Sequence, residues 1–365
     1  MDLNNLGMDF SIKEEYFEVQ DEISDLPDDV LVIILSKLSW EDVNTIKLVS
    51  RRFYGIVHRN YHRLERRMVR DFSIKYNEYC GRCPFHLQIS FKSVGDRNSG
   101  VIQYGFPKSI NIQSVGELTG FLKMFDMRKL RRFLVPAAGN LDVFSILGGL
   151  FQVGTKIRFL EIPKLAEKDF GSFQTFIEKI SWVGFLTIKH LCAPSTEPRD
   201  VYSFLSLSSF KTIKFFEIRE CNRTKILSPD FVTKLLRNSP DIRILDIGSM
   251  NIEFLEGAFK EFFGVEELPK MESECNLLCE KILFLRFNGE IEHLHGILKN
   301  VLSELRNEKE VTVTPDYSSS FYSDLQPYAI FESNVDCKNC LKNRHTITRK
   351  VFLHHMDFYG EELNY

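Results

Sequence analysis

Between Leu26 and Val57 apolar residues return at helical spacing. Val30, Leu31, Ile34, Leu35 and Leu38 follow the i, i+1, i+4, i+5, i+8 order of a helix face, with Val32 and Ile33 adding apolar surface beyond it. Pro27 suits the start of that helix, because its fixed φ is already helical and its missing N–H would have no partner there. Asp28 and Asp29 then complement the positive end of the helix dipole. Ser39 with Asp42 three residues on has the form of a capping box and predicts a second helix. Val43, Ile46, Leu48 and Val49 continue the apolar pattern, and Phe53 and Val57 follow at helical spacing. So few apolar residues make a helical module that would complete itself against something else.

Further on the period changes. FHLQISF and SVGDRNSG, within residues 85–115, predict a hairpin or a linker. From residue 130 short alternating cores recur: LRRFLV (130–135), IRFLEI (157–162), VGFLTI (183–188), IKFFEI (213–218), IRILDI (242–247) and ILFLRF (282–287). Their starts lie 27, 26, 30, 29 and 40 residues apart, and a weaker seventh surrounds Val311 and Val313. Helix-like stretches such as DFGSFQTFIEKI and PDFVTKLLRN lie between them, and the long interval holds VEELPKMESECNLLCE, read as a loop insertion. One strand–helix unit cannot bury both its apolar faces, whereas stacked units share a core. The expected fold class is therefore α/β: a small all-α module followed by a degenerate leucine-rich-repeat-like solenoid, without the usual Asn or Cys ladder. A doubly wound sheet is the rival reading. The expected layout is a flexible acidic leader over 1–22, the helical module over 23–70, a linker or cap over 71–129, the repeats over 130–314, and a loop and tail over 315–365.

Composition narrows the function classes. The chain has 365 residues, with 44% hydrophobic and 27% charged, which is ordinary for a globular protein. Thirty-two Phe suggest an extended aromatic core. A net charge of −3 offers no bulk attraction for nucleic acid. No signal peptide and no apolar run of membrane-spanning length is evident, so a cytosolic or nuclear location is expected. Eight Cys do not make a disulfide framework, and a reducing compartment would keep them as thiols.

Candidate chemistry is sparse. Cys80/Cys83 and Cys337/Cys340 each have the Cys-x-x-Cys spacing of half a zinc site, with His86 near the first and His345, His354 and His355 near the second. Neither has a second pair at finger-like spacing, so reduced thiols are expected and no metal or cofactor is assigned. The Arg51, Arg52, Arg59, Arg63, Arg66, Arg67 and Arg70 run could bind phosphate, but reads first as a solvated helix face. Glu161 and Asp246, near the ends of their strand cores, are expected to face solvent. There is no phosphate loop, nucleophile elbow or His-Glu-x-x-His motif. No catalytic residues are assigned, and the protein is not expected to be an enzyme.

The order of residues from Ile23 to Leu64 resembles the F-box. Leu26-Pro27, Val30-Leu31, Ile34, Leu38, Asp42-Val43 and Leu48-Val49-Ser50-Arg51-Arg52-Phe53 carry the likeness. Where such motifs often close on Leu-Trp, this chain reads Tyr61-His62-Arg63-Leu64. The resemblance implies docking on a Skp-type adaptor and, through it, a cullin. It implies Leu26, Pro27, Val30, Ile34, Leu38, Val43, Leu48, Val49 and Phe53 as the adaptor-facing residues. An F-box before a divergent repeat region also resembles in layout the nematode-expanded F-box families. The implied function is the substrate-recognition subunit of a Skp–cullin–F-box ubiquitin ligase, with a protein target held by the repeats. The alternative is an F-box scaffold without ubiquitin transfer; no membrane or nucleic-acid partner is expected.

Overall fold

Local signals set the first elements. In the computed structural model Pro27 stands at the N-cap of α1 (Asp28–Leu35). Ser39 accepts the Asp42 N–H at 3.2 Å and donates to Asp42 Oδ2 at 2.8 Å, opening α2 (Trp40–Ile46). Ser50 accepts the Phe53 N–H at 3.2 Å and opens α3 (Arg51–Arg59). The structure describes residues 23, 25–91, 107–135, 141–194, 197–210, 212–264, 280–305, 308–311, 327–336 and 346–356. The chain divides into two units, Met1–Arg66 and Arg67–Tyr365. The first is built around Leu31, Val32, Leu35, Val43, Ile56, Val57 and Leu64.

The second unit opens with an antiparallel meander of β1 (Arg67–Tyr76), β2 (Phe85–Phe91) and β3 (Lys108–Ile112), followed by α4 (Val115–Leu122) and the short β4 (Phe125–Asp126). Alternating strands and helices come next: β5 (Lys129–Leu134), α5 (Val143–Leu150), β6 (Thr155–Ile162), β7 (Leu165–Ala166), α6 (Phe170–Ile177), β8 (Ile180–Cys192), α7 (Val201–Phe204), β9 (Phe215–Glu220), α8 (Pro229–Asn238), β10 (Ile244–Gly248), α9 (Ile252–Gly264), β11 (Glu280–Phe287) and α10 (Ile291–Glu304). Strands β12 (Glu308–Val311), β13 (Ala329–Asp336) and β14 (Thr346–His355) complete the sheet.

All six predicted strand cores fall in β5, β6, β8, β9, β10 and β11, which pair parallel in chain order. No reversal of strand order interrupts this run, as a doubly wound sheet would require. Helices adjacent in the chain pack on one another from α4 to α6 and from α7 to α10, as a layer on one sheet face does. Residues i, i+3 and i+5 of successive strands turn inward: Leu130/Phe133/Val135, Ile157/Leu160/Ile162, Val183/Leu186/Ile188, Ile213/Phe216/Ile218 and Ile242/Leu245/Ile247 are all buried. The Phe content fills the space beneath the sheet; Phe133, Phe144, Phe151, Phe173 and Phe176 pack ring against ring.

The structure differs from the sequence-based expectation at several points. Arg67–Tyr76 is a strand of the large sheet, so the helical module ends before residue 70. The expected linker or cap over 71–129 is mostly sheet meander and α4. Of the expected seventh repeat, Val311 falls in β12, which pairs antiparallel with β13, and Val313 lies outside the described residues. The expected loop and tail supply β13 and β14, and β14 lies parallel beside β11. Cys192 and Cys221 are disulfide-bonded, not thiols. Register is the reason: Leu191 of β8 pairs with Glu220 at the end of β9, which brings Cys192 and Cys221, the residues that follow them, to a Cα–Cα distance of 5.3 Å. The acidic leader, the 265–279 insertion and Cys337/Cys340 lie outside the described residues.

Candidate functional site

Helix α1 is apolar on two sides. Leu31, Val32 and Leu35 pack inward, while Val30, Ile33 and Ile34, at i, i+3 and i+4, form a second stripe that is 39%, 55% and 44% exposed. A helix apolar all round ordinarily has both sides covered. The α2–α3 connection repeats the situation. Leu48 N–H bonds Thr45 O and Val49 N–H bonds Ile46 O, so a tight turn presents both side chains outward, 75% and 71% exposed.

Charge clamps this arrangement from within the unit. Arg52 reaches Asp28 Oδ1 through Nε (3.1 Å) and Nη2 (2.9 Å) and also donates to Leu26 O. Arg59 reaches Asp28 Oδ2 at 3.1 Å. Two cations of the Arg run thus tie α3 to the first turn of α1. Phe53 and Tyr61 pack against the module core, and Tyr61 lies 5.1 Å from the His58 ring. Burial, then the nearby Tyr54, pushes the Tyr61 phenol above its ordinary pKa.

Residues 23–67 match the family model for F-box-like domains. Among curated proteins the chain has no match. The F-box-like domain supports a Skp-type adaptor as partner.

Of the nine residues implied to face the adaptor, Pro27, Val30, Ile34, Leu48 and Val49 are exposed. Leu26, Leu38 and Phe53 are half-buried against the module core. Val43 corrects the expectation. At 5% exposure it belongs to that core, because α2 turns it toward α1 and α3. Ile33, read from the sequence as added apolar surface but not among the nine, is exposed beside Val30, whereas Val32, read the same way, is buried. Ile23, 59% exposed, also adds apolar surface.

A buried charge cluster crosses β9, β10, β11 and β14. Asp246, expected to face solvent, is 4% exposed and takes a bidentate pair from Arg286, Nε–Oδ1 2.7 Å and Nη2–Oδ2 2.9 Å. Glu217 pairs with Arg219 at 2.6 Å, and burial with the Asp246 charge raises its pKa. His354 is buried, and that burial, then Arg286, lowers its pKa to about 4. Glu161 bridges Arg132 (2.8 Å) and Lys189 (2.6 Å). Asp246–Arg286 and the Glu161 pairs join neighbouring strands and Glu217–Arg219 lies within β9, while Arg219 Nε and both His354 ring nitrogens are buried without a hydrogen bond among the described residues. Cys80 and Cys83 are free and lie between β1 and β2, while His86 Nδ1 is engaged by Asn111 Oδ1 at 2.8 Å. No group of three or more potential metal ligands occurs among the described residues. No described helix is long and apolar enough to cross a membrane.

Proposed function

We propose that this protein is the substrate-recognition subunit of a Skp–cullin–F-box type ubiquitin ligase, acting in the cytosol or nucleus. The observation that carries the proposal is the exposed apolar surface of Val30, Ile33, Ile34, Leu48 and Val49 within the matched F-box-like segment. Apolar anchors on a rigid helical frame can concentrate most of a docking energy. The second unit is a degenerate leucine-rich-repeat solenoid; parallel strands in chain order and the repeated i, i+3, i+5 burial support this reading. Its layout behind an F-box is that of the nematode-expanded families. The protein itself performs no covalent step. It holds a target near the charged ubiquitin carrier and raises the effective concentration of the target's lysines there.

Reconstitution tests this. The purified chain is mixed with a Skp-type adaptor, cullin, RING subunit and charged carrier, and ubiquitin transfer to a protein captured by the second unit is followed. Transfer that depends on the adaptor is the expected result. Adaptor capture without transfer would favour the scaffold role, and no adaptor capture would refute both.

A further inference from the structure

The sheet face opposite the helices carries a surface that the adaptor-docking role does not use. At the start of the parallel run, Lys129 pairs in register with Lys156, and Lys156 with Trp182. Together with Arg131 and Arg158 they surround an open cleft of about 430 Å³. Arg131 is occupied by a bidentate pair with Asp71, at 2.7 and 2.9 Å. Lys129, Lys156 and Arg158 have no carboxylate partner among the described residues. The indole of Trp182 lies back over Gly184. A Cβ at that glycine would sit 3.1 Å from the ring and 3.0 Å from Arg158 O, so the missing side chain makes room for the aromatic wall.

Farther along β6 and β8, and on the adjoining β9, Phe159, Phe185 and Phe215 form a half-exposed stack with ring centroids 4.5 and 5.9 Å apart. Two residues farther still, about 7 Å at strand spacing, comes a row of Glu161, Thr187 and Glu217. The carboxylates in it are already paired. The surface thus runs from cations without a carboxylate partner among the described residues, Arg158 lying 5.2 Å over the Phe159 ring, to aromatic rings to neutralised polar groups within a few residues. Three exposed cations gathered round one cleft attract carboxylate through their summed field, and adjacent rings accept apolar side chains. A nucleic-acid backbone needs positive charge along its whole track; here the row beyond the rings carries the carboxylates of Glu161 and Glu217, and the chain as a whole has a net charge of −3.

We propose that this cleft binds an acidic peptide segment of a protein partner, its carboxylates on Lys129, Lys156 and Arg158 and a neighbouring apolar side chain on the Trp182–Phe159–Phe185 surface. The inference deepens the target-receptor reading and rests on it for the partner being a protein.

The test is selection from a random nine-residue peptide display library by the full chain, and by a K129E/K156E/R158E variant. The three side chains are exposed, so the variant should keep the wild-type melting temperature; K129Q/K156Q/R158Q is the milder substitute. The expected result is enrichment of peptides combining Asp or Glu with an apolar residue, absent in the variant. Synthesised winners should bind the wild type at least tenfold tighter than the variant, and tighter than their Gln-for-Glu counterparts. Equal enrichment by the variant, or no acidic enrichment, overturns the proposal. A uridine decamer binding as tightly as the best peptide overturns it in favour of nucleic acid. Adaptor capture is measured on the same samples. Its loss in the wild type counts against the ligase reading alone, and its retention with peptide binding lost in the variant is the expected pattern.

Discussion

Replacing Leu48 and Val49 together by Ala isolates the docking surface from the fold. Both side chains are more than two-thirds exposed in the free chain, at 75% and 71%. Their removal should change the melting of the protein little, within about 0.5 kcal/mol, as at surface positions generally. On docking, that exposed area is what an adaptor would cover. Full burial of a Leu or Val side chain contributes about 1.5–3 kcal/mol. Scaled by the exposures, the pair is worth roughly 2–4 kcal/mol, or about 30- to 1000-fold in affinity. Isothermal titration with purified Skp-type adaptor reads this directly, beside a thermal melt of each protein. Val43→Ala is the contrasting variant. Val43 is 5% exposed, so its truncation should cost about 2 kcal/mol of module stability. It should weaken adaptor binding only as far as it unfolds the module. An adaptor affinity unchanged in the Leu48/Val49 double variant would refute the assigned surface. Equal binding losses with equal melting losses in the two variants would refute the separation of surface from core.

Other outcomes follow from the buried charges. His354 should make stability pH-dependent. Its folded pKa, about 4, lies below the ordinary 6.5, so the unfolded chain takes up the proton first as pH falls. The associated stability is complete above about pH 6.5 and declines as pH falls toward 4, by about 3 kcal/mol in all. His354→Phe, which keeps a ring beside Phe284 and Phe352, should flatten that part of the urea-denaturation profile; an identical slope in the variant would contradict the assignment. Asp246→Ala leaves the Arg286 guanidinium buried without its bidentate partner and should cost about 3–5 kcal/mol by chemical denaturation. A cost under about 1 kcal/mol would show the pair to be solvated. Asp28→Ala removes only exposed bridges to Arg52 and Arg59 and should cost no more than about 1 kcal/mol, read from the melting of the helical module at low and high salt.

What the sequence determined by itself was what depends on near neighbours. The Ser39 cap, the Pro27 helix start and the six strand cores follow from contacts within a few residues or from a repeated period, and the structure contains each of them. The F-box-like segment was legible for the same reason, since its order of residues is local. Tertiary structure decided which way the side chains turn and which distant residues meet. On α1 a single apolar run divides into a buried side with Leu31 and Leu35 and an outward side with Val30, Ile33 and Ile34, because only packing against α3 selects a face. Val43 moved from surface to core on the same ground. Asp246 and Cys192 were misjudged because their partners, Arg286 and Cys221, lie 40 and 29 residues away. Strand register alone brings those groups together, and no local period encodes it. The cation–aromatic cleft is likewise a product of register, assembled from β5, β6 and β8 only when the three strands lie side by side.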